Sequence, residues 1–137
     1  MIKRHHRIAM AAAILYLLAV LLVVFWPTPV DRPASGTLNA VLSWLHRHGT
    51  PRFIDYNFVE FTANIAMFIP MGLIASIWFK NGFLGVIAGM LVSCLIELTQ
   101  ATSLPDRYAT GLDILANSIG AGLGALAFYL GHRRLSK

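Results

Sequence analysis

Four long apolar stretches follow one another along the chain and predict four membrane-spanning helices. We place these helices at residues 8–30, 57–79, 83–102 and 111–131. A helix of about 20 residues crosses the ~30 Å hydrocarbon core of a bilayer, and each stretch reaches that length. The first stretch is longer than the apolar part of an ordinary signal peptide, so we expect an uncleaved helix. The pattern predicts an all-α membrane protein, a small bundle of four transmembrane helices.

One long connection, residues 31–56, contains a short stretch with helical periodicity. Leu38, Leu42 and Leu45 recur at helical spacing, with Val41 and Trp44 beside them. This spacing predicts a short amphipathic helix in the outer loop, at about residues 37–46. The helix would lie either on the membrane surface or over the mouth of the bundle. We interpret residues 1–137 as a single domain.

The composition supports the membrane prediction and argues against an ordinary soluble enzyme. The chain of 137 residues is 57% hydrophobic and 12% charged, with a mean hydropathy of +0.66. Soluble domains carry about 25% charged residues. A net charge of +5 would suggest nucleic acid in a soluble protein. Here the basic residues cluster at the two ends of the chain, so we expect no nucleic-acid partner and assign them to membrane orientation.

The distribution of charge favours one orientation of the protein in the membrane and indicates which side of the membrane carries its function. With four spans, one side holds Lys3, Arg4, Arg7, Lys80, Arg133, Arg134 and Lys137, and the other holds Arg32, Arg47, Arg52 and Arg107. Because cytoplasmic segments carry the excess of lysine and arginine, both termini are predicted to be cytoplasmic. The acidic residues all fall on the outer side or near it: Asp31, Asp55, Glu60, Glu97, Asp106 and Asp113. This asymmetry predicts that function is located there.

Three spans are predicted to bring polar side chains to one depth. At about 1.5 Å per residue, Glu97 lies ~21 Å above the cytoplasmic start of the third span. That position is ~9 Å below the outer edge of a ~30 Å hydrocarbon core. Asn64 and Asn117 lie at about 10 Å depth in the second and fourth spans. Polar side chains at this depth cost several kcal/mol unless they are paired or hydrated, so their convergence predicts a site.

Neighbouring polar residues extend the candidate site. Gln100 shares a helix face with Glu97, as Asp113 does with Asn117, and Arg107 lies in the loop between the third and fourth spans. The predicted ligand-binding set is Asn64, Glu97, Gln100, Arg107, Asp113 and Asn117. Glu97 and Asp113 are also candidate acid–base residues. Arg107 would suit an anionic group, because a guanidinium matches phosphate and carboxylate.

Two structural roles remain open for the same residues. The whole set could be a polar clamp that holds the helices together. Thr110 could cap the fourth helix, with Asp113 as the acid of a capping box. The glycine pairs Gly85–Gly89 and Gly120–Gly124 have the GxxxG spacing of close helix contacts. Such contacts could form within the bundle or between copies in a homo-oligomer.

Other motifs that would identify an enzyme or a metal site do not occur in the sequence. His46 and His48 have no obvious third ligand nearby, so no metal site is predicted. The chain has no HExxH, Walker A, GxGxxG or GxSxG motif. Cys94, the single cysteine, lies in an apolar stretch and is interpreted as a packing residue. We expect no cofactor, and the balance is against an enzyme without excluding one.

The polar and glycine positions together form a longer pattern. Three segments carry it in order: NIAMFIPMG from Asn64, SxxxExxQ from Ser93, and RxxxxxDxxxNxxGxxxG from Arg107. This series resembles the VanZ-like family of small bacterial membrane proteins, over residues 57–131. Family members often carry more acid between the arginine and the aspartate, where this chain has Tyr108, Thr110 and Leu112 among others.

The resemblance implies a multi-pass protein of the bacterial cytoplasmic membrane. The founding members of the family lower susceptibility to teicoplanin, a glycopeptide antibiotic, without making altered cell-wall precursors. The first hypothesis is therefore a cell-envelope protein in contact with membrane lipids that binds an anionic, lipid-linked cell-wall precursor or a glycopeptide at the outer polar site. A membrane enzyme acting on an envelope-lipid headgroup is the second. A structural or partner-binding bundle is the third.

Overall fold

The computed structural model describes residues 2–27, 32–104 and 110–135, and all regular structure within them is helical. The helices are α1 (Ile2–Val24), α2 (Ser35–Arg47), α3 (Tyr56–Phe79), α4 (Gly82–Ser103) and α5 (Gly111–Leu135), with a 3₁₀ turn at Arg32–Ala34 before α2. Four of them, α1, α3, α4 and α5, are long and apolar enough to cross a membrane. The predicted all-α membrane fold with four transmembrane helices is confirmed.

The first span differs from its predicted bounds. We predicted residues 8–30, but α1 ends at Val24, where the amide of Phe25 makes a last helical bond to Leu21. Pro27 explains the early end, because a proline disfavours helical backbone in the residue before it and has no amide hydrogen to donate. Apolar composition alone did not reveal this stop. Part of the predicted span, residues 28–30, lies outside the described residues.

Local side-chain caps define the start of α3 and the turn into α4. The Asp55 carboxylate accepts a hydrogen bond from the amide of Phe58 at 3.0 Å. At the other end, Lys80 adopts a left-handed backbone conformation with φ of 52°. Asn81 then caps α4 by accepting from the amides of Phe83 and Leu84. These caps satisfy helix-end amides and turn the chain back sharply, so α4 runs antiparallel to α3.

Glycines bring α3, α4 and α5 together at backbone distance. A Cβ added at Gly124 would overlap the carbonyl oxygen of Ile69, and one at Gly72 would overlap the backbone of Ala121. The α4 glycines also make close contacts: Gly89 faces Ala121 of α5, and Gly85 faces Ser76 of α3. Both GxxxG pairs therefore serve packing within the bundle. Formation of a homo-oligomer stays a prediction.

The first helix rests on this three-helix core with a smaller contact. Its residues Val20 and Val24 are buried in one cluster with Phe68 of α3 and Ile96 of α4. The Tyr16 hydroxyl donates a hydrogen bond to the carbonyl of Met67 in α3. The end of α1 thus lies beside α4 and the middle of α3. This position is in the half of the bundle that contains the polar side chains.

The connection between α1 and α3 contains the predicted short helix, α2. Leu42 is buried against the bundle, and Leu38 and Leu45 are half-buried. The helix therefore packs on the bundle, but Val41 and Trp44 remain 48% and 52% exposed. Of the two predicted positions for α2, the structure shows the one over the bundle. The helix still presents an apolar surface outward.

Candidate functional site

On each core helix, residues spaced four apart form one stripe that faces the inside of the bundle. The members are Asn64, Phe68, Gly72 and Ser76 on α3; Gly85, Gly89, Ser93 and Glu97 on α4; and Asp113, Asn117, Ala121 and Ala125 on α5. Because α3 and α5 run parallel and α4 antiparallel, most polar members of the three stripes meet in one half of the bundle, whereas Ser76 lies in the other half beside Gly85. We call Asn64, Ser93, Glu97, Gln100, Asp113 and Asn117 the polar cluster.

Asp113 connects α5 to α3 and also organises the start of its own helix. Its Oδ1 accepts a hydrogen bond from Asn64 Nδ2 at 2.8 Å. Its Oδ2 accepts from the Thr110 hydroxyl at 2.7 Å, and that hydroxyl in turn accepts from the Asp113 amide at 3.2 Å. The predicted cap at Thr110 is present. Asp113 therefore combines a capping role with an interhelical bond, and both of its oxygens are held in fixed directions.

Asn117 connects α5 to α4 one turn deeper. Its Nδ2 donates to Ser93 Oγ at 2.9 Å, and both residues are buried, with Asn117 only 3% exposed. Its amide oxygen Oδ1 has no hydrogen-bond partner among the described residues. Leaving a buried acceptor unmatched costs about 1–3 kcal/mol, and native proteins contain few such atoms. This oxygen is therefore an open acceptor inside the bundle.

Glu97 follows Ser93 by one helical turn, on the same face of α4. The side chain is 7% exposed, and its Oε2 atom is fully covered. A carboxyl group at this depth costs several kcal/mol in a membrane unless its surroundings compensate. Glu97 thus places acid chemistry in the middle of the polar cluster, beside the Asn117–Ser93 bond.

Gln100 has a different partner from the other members of the cluster. Its Nε2 donates to the backbone carbonyl of Val24 at 2.9 Å, and the side chain is 7% exposed. Val24 is the last residue of α1, where the closing carbonyls of a helix accept hydrogen bonds from groups outside it. Gln100 therefore fastens the end of α1 onto α4, next to Glu97.

The structure brings five of the six predicted site residues into the same half of the bundle. Two pairs bond between helices, Asn64 with Asp113 and Asn117 with Ser93, while Gln100 bonds to α1. The sixth, Arg107, lies outside the described residues. The cluster therefore offers two carboxyl groups and several amides.

Sequence reasoning missed the polar attachments of α1. Tyr16 is the sole side chain with a hydrogen-bonding group between residues 8 and 24, which was the available signal. The role of the Val24 carbonyl had no signal, because every residue has a carbonyl.

The two histidines that were considered as metal ligands bond to the backbone. His46 Nε2 donates to Ile54 O at 3.0 Å, and His48 Nδ1 donates to Trp44 O at 2.8 Å.

A family model described as VanZ/LLP1 matches residues 13–132. The chain belongs to this family. The match spans about half of α1, all of α2, α3 and α4 and most of α5, and it includes every candidate site residue, so the resemblance found in the sequence is confirmed. No curated protein and no solved structure matches the chain. The fold and the family together make this a multi-pass VanZ-like membrane protein.

Proposed function

We propose that this VanZ-like protein acts in the bacterial cell envelope by binding the headgroup of a lipid-linked or lipopeptide-like molecule in its polar cluster. In this proposal it lies in the cytoplasmic membrane with both termini in the cytoplasm. The excess of lysine and arginine at the end of the bundle opposite the cluster supports this orientation. The cluster then opens toward the outer leaflet, where such molecules are exposed.

The observation that carries the proposal is the open acceptor of Asn117 in a bundle that also buries a carboxyl group. A helix clamp needs donors and acceptors that match each other. Asn117 Oδ1 is buried without a match among the described residues, and Glu97 lies on the face of α4 that carries Ser93, the partner of Asn117. Hydroxyl and amide N–H groups of a headgroup are donors that would complete such a set.

The other members have distinct proposed roles in the same site. Asp113 is already oriented by Asn64 and Thr110, so it offers its remaining lone pairs to a ligand in a fixed direction. Gln100 determines how closely the end of α1 approaches the cluster. Arg107 would bind an anionic part of the ligand, such as a phosphate or carboxylate, as its residue type favours.

Lowered susceptibility to teicoplanin-type glycopeptides is the phenotype through which we would test the proposal. The wild type and the Glu97→Gln, Asp113→Asn and Arg107→Ala variants would be expressed in a glycopeptide-sensitive Gram-positive host. Thr99→Val is the matched control, because Thr99 is exposed and bonds to the carbonyl of Leu95 in its own helix. Teicoplanin and vancomycin susceptibility would be measured, together with the amount of each protein in the membrane.

We expect protection by the wild type and by Thr99→Val, and its loss in Glu97→Gln, Asp113→Asn and Arg107→Ala at equal abundance. Equal protection by all five proteins would contradict a role for the cluster. Absence of protection by the wild type would remove the glycopeptide part of the proposal. The ligand would then be sought by co-purification of envelope lipids with wild type and Glu97→Gln.

A second candidate function, a purely structural clamp, is favoured by the two interhelical side-chain bonds. Asn64–Asp113 and Asn117–Ser93 join α5 to both of its neighbours, as polar residues do in membrane bundles. The two functions differ in what the variants do to the folded protein. A clamp predicts that Asp113→Asn and Glu97→Gln lower abundance and thermal stability, whereas a binding site predicts loss of phenotype with stability retained.

A further inference from the structure

A basic and aromatic surface lies on α2 and the turn that follows it, away from the polar cluster. Its exposed members are Val41, Trp44, Arg47, Arg52 and Phe53, which we call the corner surface. Val41, Trp44 and Arg47 share one face of α2, because they are three residues apart. Phe53, in the turn, is 66% exposed.

The corner surface is fixed in shape by local hydrogen bonds. Backbone bonds run from the amide of Thr50 to Leu45 O at 3.1 Å and from the amide of Ile54 to Pro51 O at 3.1 Å. His48 stacks on Trp44 with ring centroids 4.1 Å apart. Since the opposite face of α2 is packed on the bundle through Leu42, the outward side chains project from a fixed support.

The height of the corner surface coincides with one boundary of the hydrocarbon core. Phe53 packs edge-on against Phe58 in the first turn of α3, with centroids 5.9 Å apart. At the other end of α3, Trp78 is 81% exposed. The two aromatic levels are twenty residues apart along α3, or about 30 Å, which equals the thickness of a bilayer's hydrocarbon core. Aromatic side chains collect at both such boundaries.

The charge of the segment selects the partner. The connection 31–56 carries three arginines, and its two acidic residues, Asp31 and Asp55, lie at its ends, where Asp55 caps α3. Arg47 and Arg52 are exposed beside Trp44 and Phe53. Guanidinium groups pair with phosphate, and a basic surface with aromatic anchors is typical of an element that lies in the headgroup layer. The positive charge of this segment favours an anionic lipid over a zwitterionic one.

We infer that the corner surface lies in the headgroup layer and selects anionic phospholipids through Arg47 and Arg52. This contact is separate from the proposed ligand site, because none of its residues belongs to the polar cluster. Its role is to hold α2 at a fixed depth at the end of the bundle where α3 begins. The attraction of one lysine or arginine to an anionic membrane surface corresponds to a roughly fivefold preference, so the effect is measurable.

The test reads the lipids next to Trp44 by fluorescence quenching. A protein that retains Trp44 alone (Trp26→Phe and Trp78→Phe) would be placed in phosphatidylcholine vesicles. A small, equal fraction of brominated phosphatidylglycerol or brominated phosphatidylcholine would then be added. We expect several-fold stronger quenching by the anionic lipid, and loss of this preference in Arg47→Gln/Arg52→Gln. Arg7→Gln, an identical change at the far end of α1, is the matched control and should leave the preference intact.

Several outcomes would overturn the inference. Equal quenching by both lipids, or a preference that survives the double variant, would exclude selection by these arginines. If no brominated lipid quenches the fluorescence of Trp44, the corner surface faces water or another protein instead of lipid. If the single-tryptophan protein does not accumulate, the wild type serves instead: phosphatidylglycerol should raise its Tm, and the double variant should lose that rise. Glu97→Gln should keep the lipid preference, which separates this result from a failure of the proposed ligand site.

Discussion

Within about two turns of α3, the bundle changes from backbone packing to side-chain bonding. Around Gly72 and Gly124 the helices meet with no room for a single Cβ. Around Asn64 and Asp113 the same helices are joined by hydrogen bonds between side chains. On α3 both regions belong to one stripe of constant spacing, and they differ in the residues that the stripe carries.

The difference shows how a small membrane protein can keep polar groups buried. Helices in lipid gain little from the hydrophobic effect between them, so close packing of small residues supplies much of their association. The glycine half provides that packing and fixes the distances between helices. The polar half can then carry a carboxyl group and an open amide acceptor without being the main source of stability. Four predictions test this division, from the largest expected effect to the smallest.

Gly124→Ala should be the most damaging change in the bundle. The new methyl group would overlap backbone atoms of Ile69 and Leu73, which cannot move aside as a side chain can. We expect a loss of about 2 kcal/mol or more in unfolding free energy, the range of overpacked cores. Gly122→Ala is the matched control, because nothing lies within 4 Å of the added atom. Denaturation of both proteins in detergent measures the effect, and similar stability for the two would contradict the packing argument.

Gln100→Leu should weaken the attachment of α1. The substitution leaves the Val24 carbonyl without its side-chain donor, at a cost of about 1 kcal/mol in unfolding free energy. Faster amide hydrogen exchange in the last turn of α1 should accompany the loss, with α3 to α5 unchanged. Thr99→Val, on the exposed face of α4, should change neither quantity. If amide hydrogen exchange becomes faster to the same extent in all helices, α1 does not detach independently of α3 to α5.

The Asn64–Asp113 bond should contribute a small coupling energy. A double-mutant cycle with Asn64→Ala and Asp113→Ala should give about 0.6 kcal/mol, the average for such bonds between membrane helices. Asp113→Ala alone should cost more, because it also removes the hydrogen bond that orients the Thr110 cap. A cycle of Asn64→Ala with Thr99→Val should be additive. Coupling of several kcal/mol would make the polar half a principal source of stability instead.

Glu97→Gln should change stability least of all. The amide keeps the size of the side chain and its capacity for hydrogen bonds, so we expect stability to be nearly unchanged. Thermal denaturation in detergent would be compared with the susceptibility test on the same protein. A loss of stability as large as that of Gln100→Leu would indicate a structural carboxyl group. Retained stability with lost protection would sharpen the contrast between the two halves.

The sequence by itself determined the number of spans and the common level of the polar residues along their helices. Both follow from quantities that add along one helix: apolar length and rise per residue. The starts of α3 and α5 and the end of α3 lie within one residue of prediction, because Asp55, Lys80, Asn81 and Thr110 mark those ends with local caps and turns. The end of α1 was misplaced where apolar residues continue past the helix to Pro27.

Only the tertiary structure decided which side chains meet. Depth along a helix does not specify its rotation, so the sequence placed Asn64, Asn117 and Glu97 at one level without assigning their partners. The fit of Gly72, Gly120 and Gly124 sets how α3 and α5 face each other, and that rotation directs Asn64 to Asp113. The bond from Gln100 to the Val24 carbonyl joins residues 76 apart in sequence. Such pairings depend on how helices pack on each other, which no single helix contains in its own pattern.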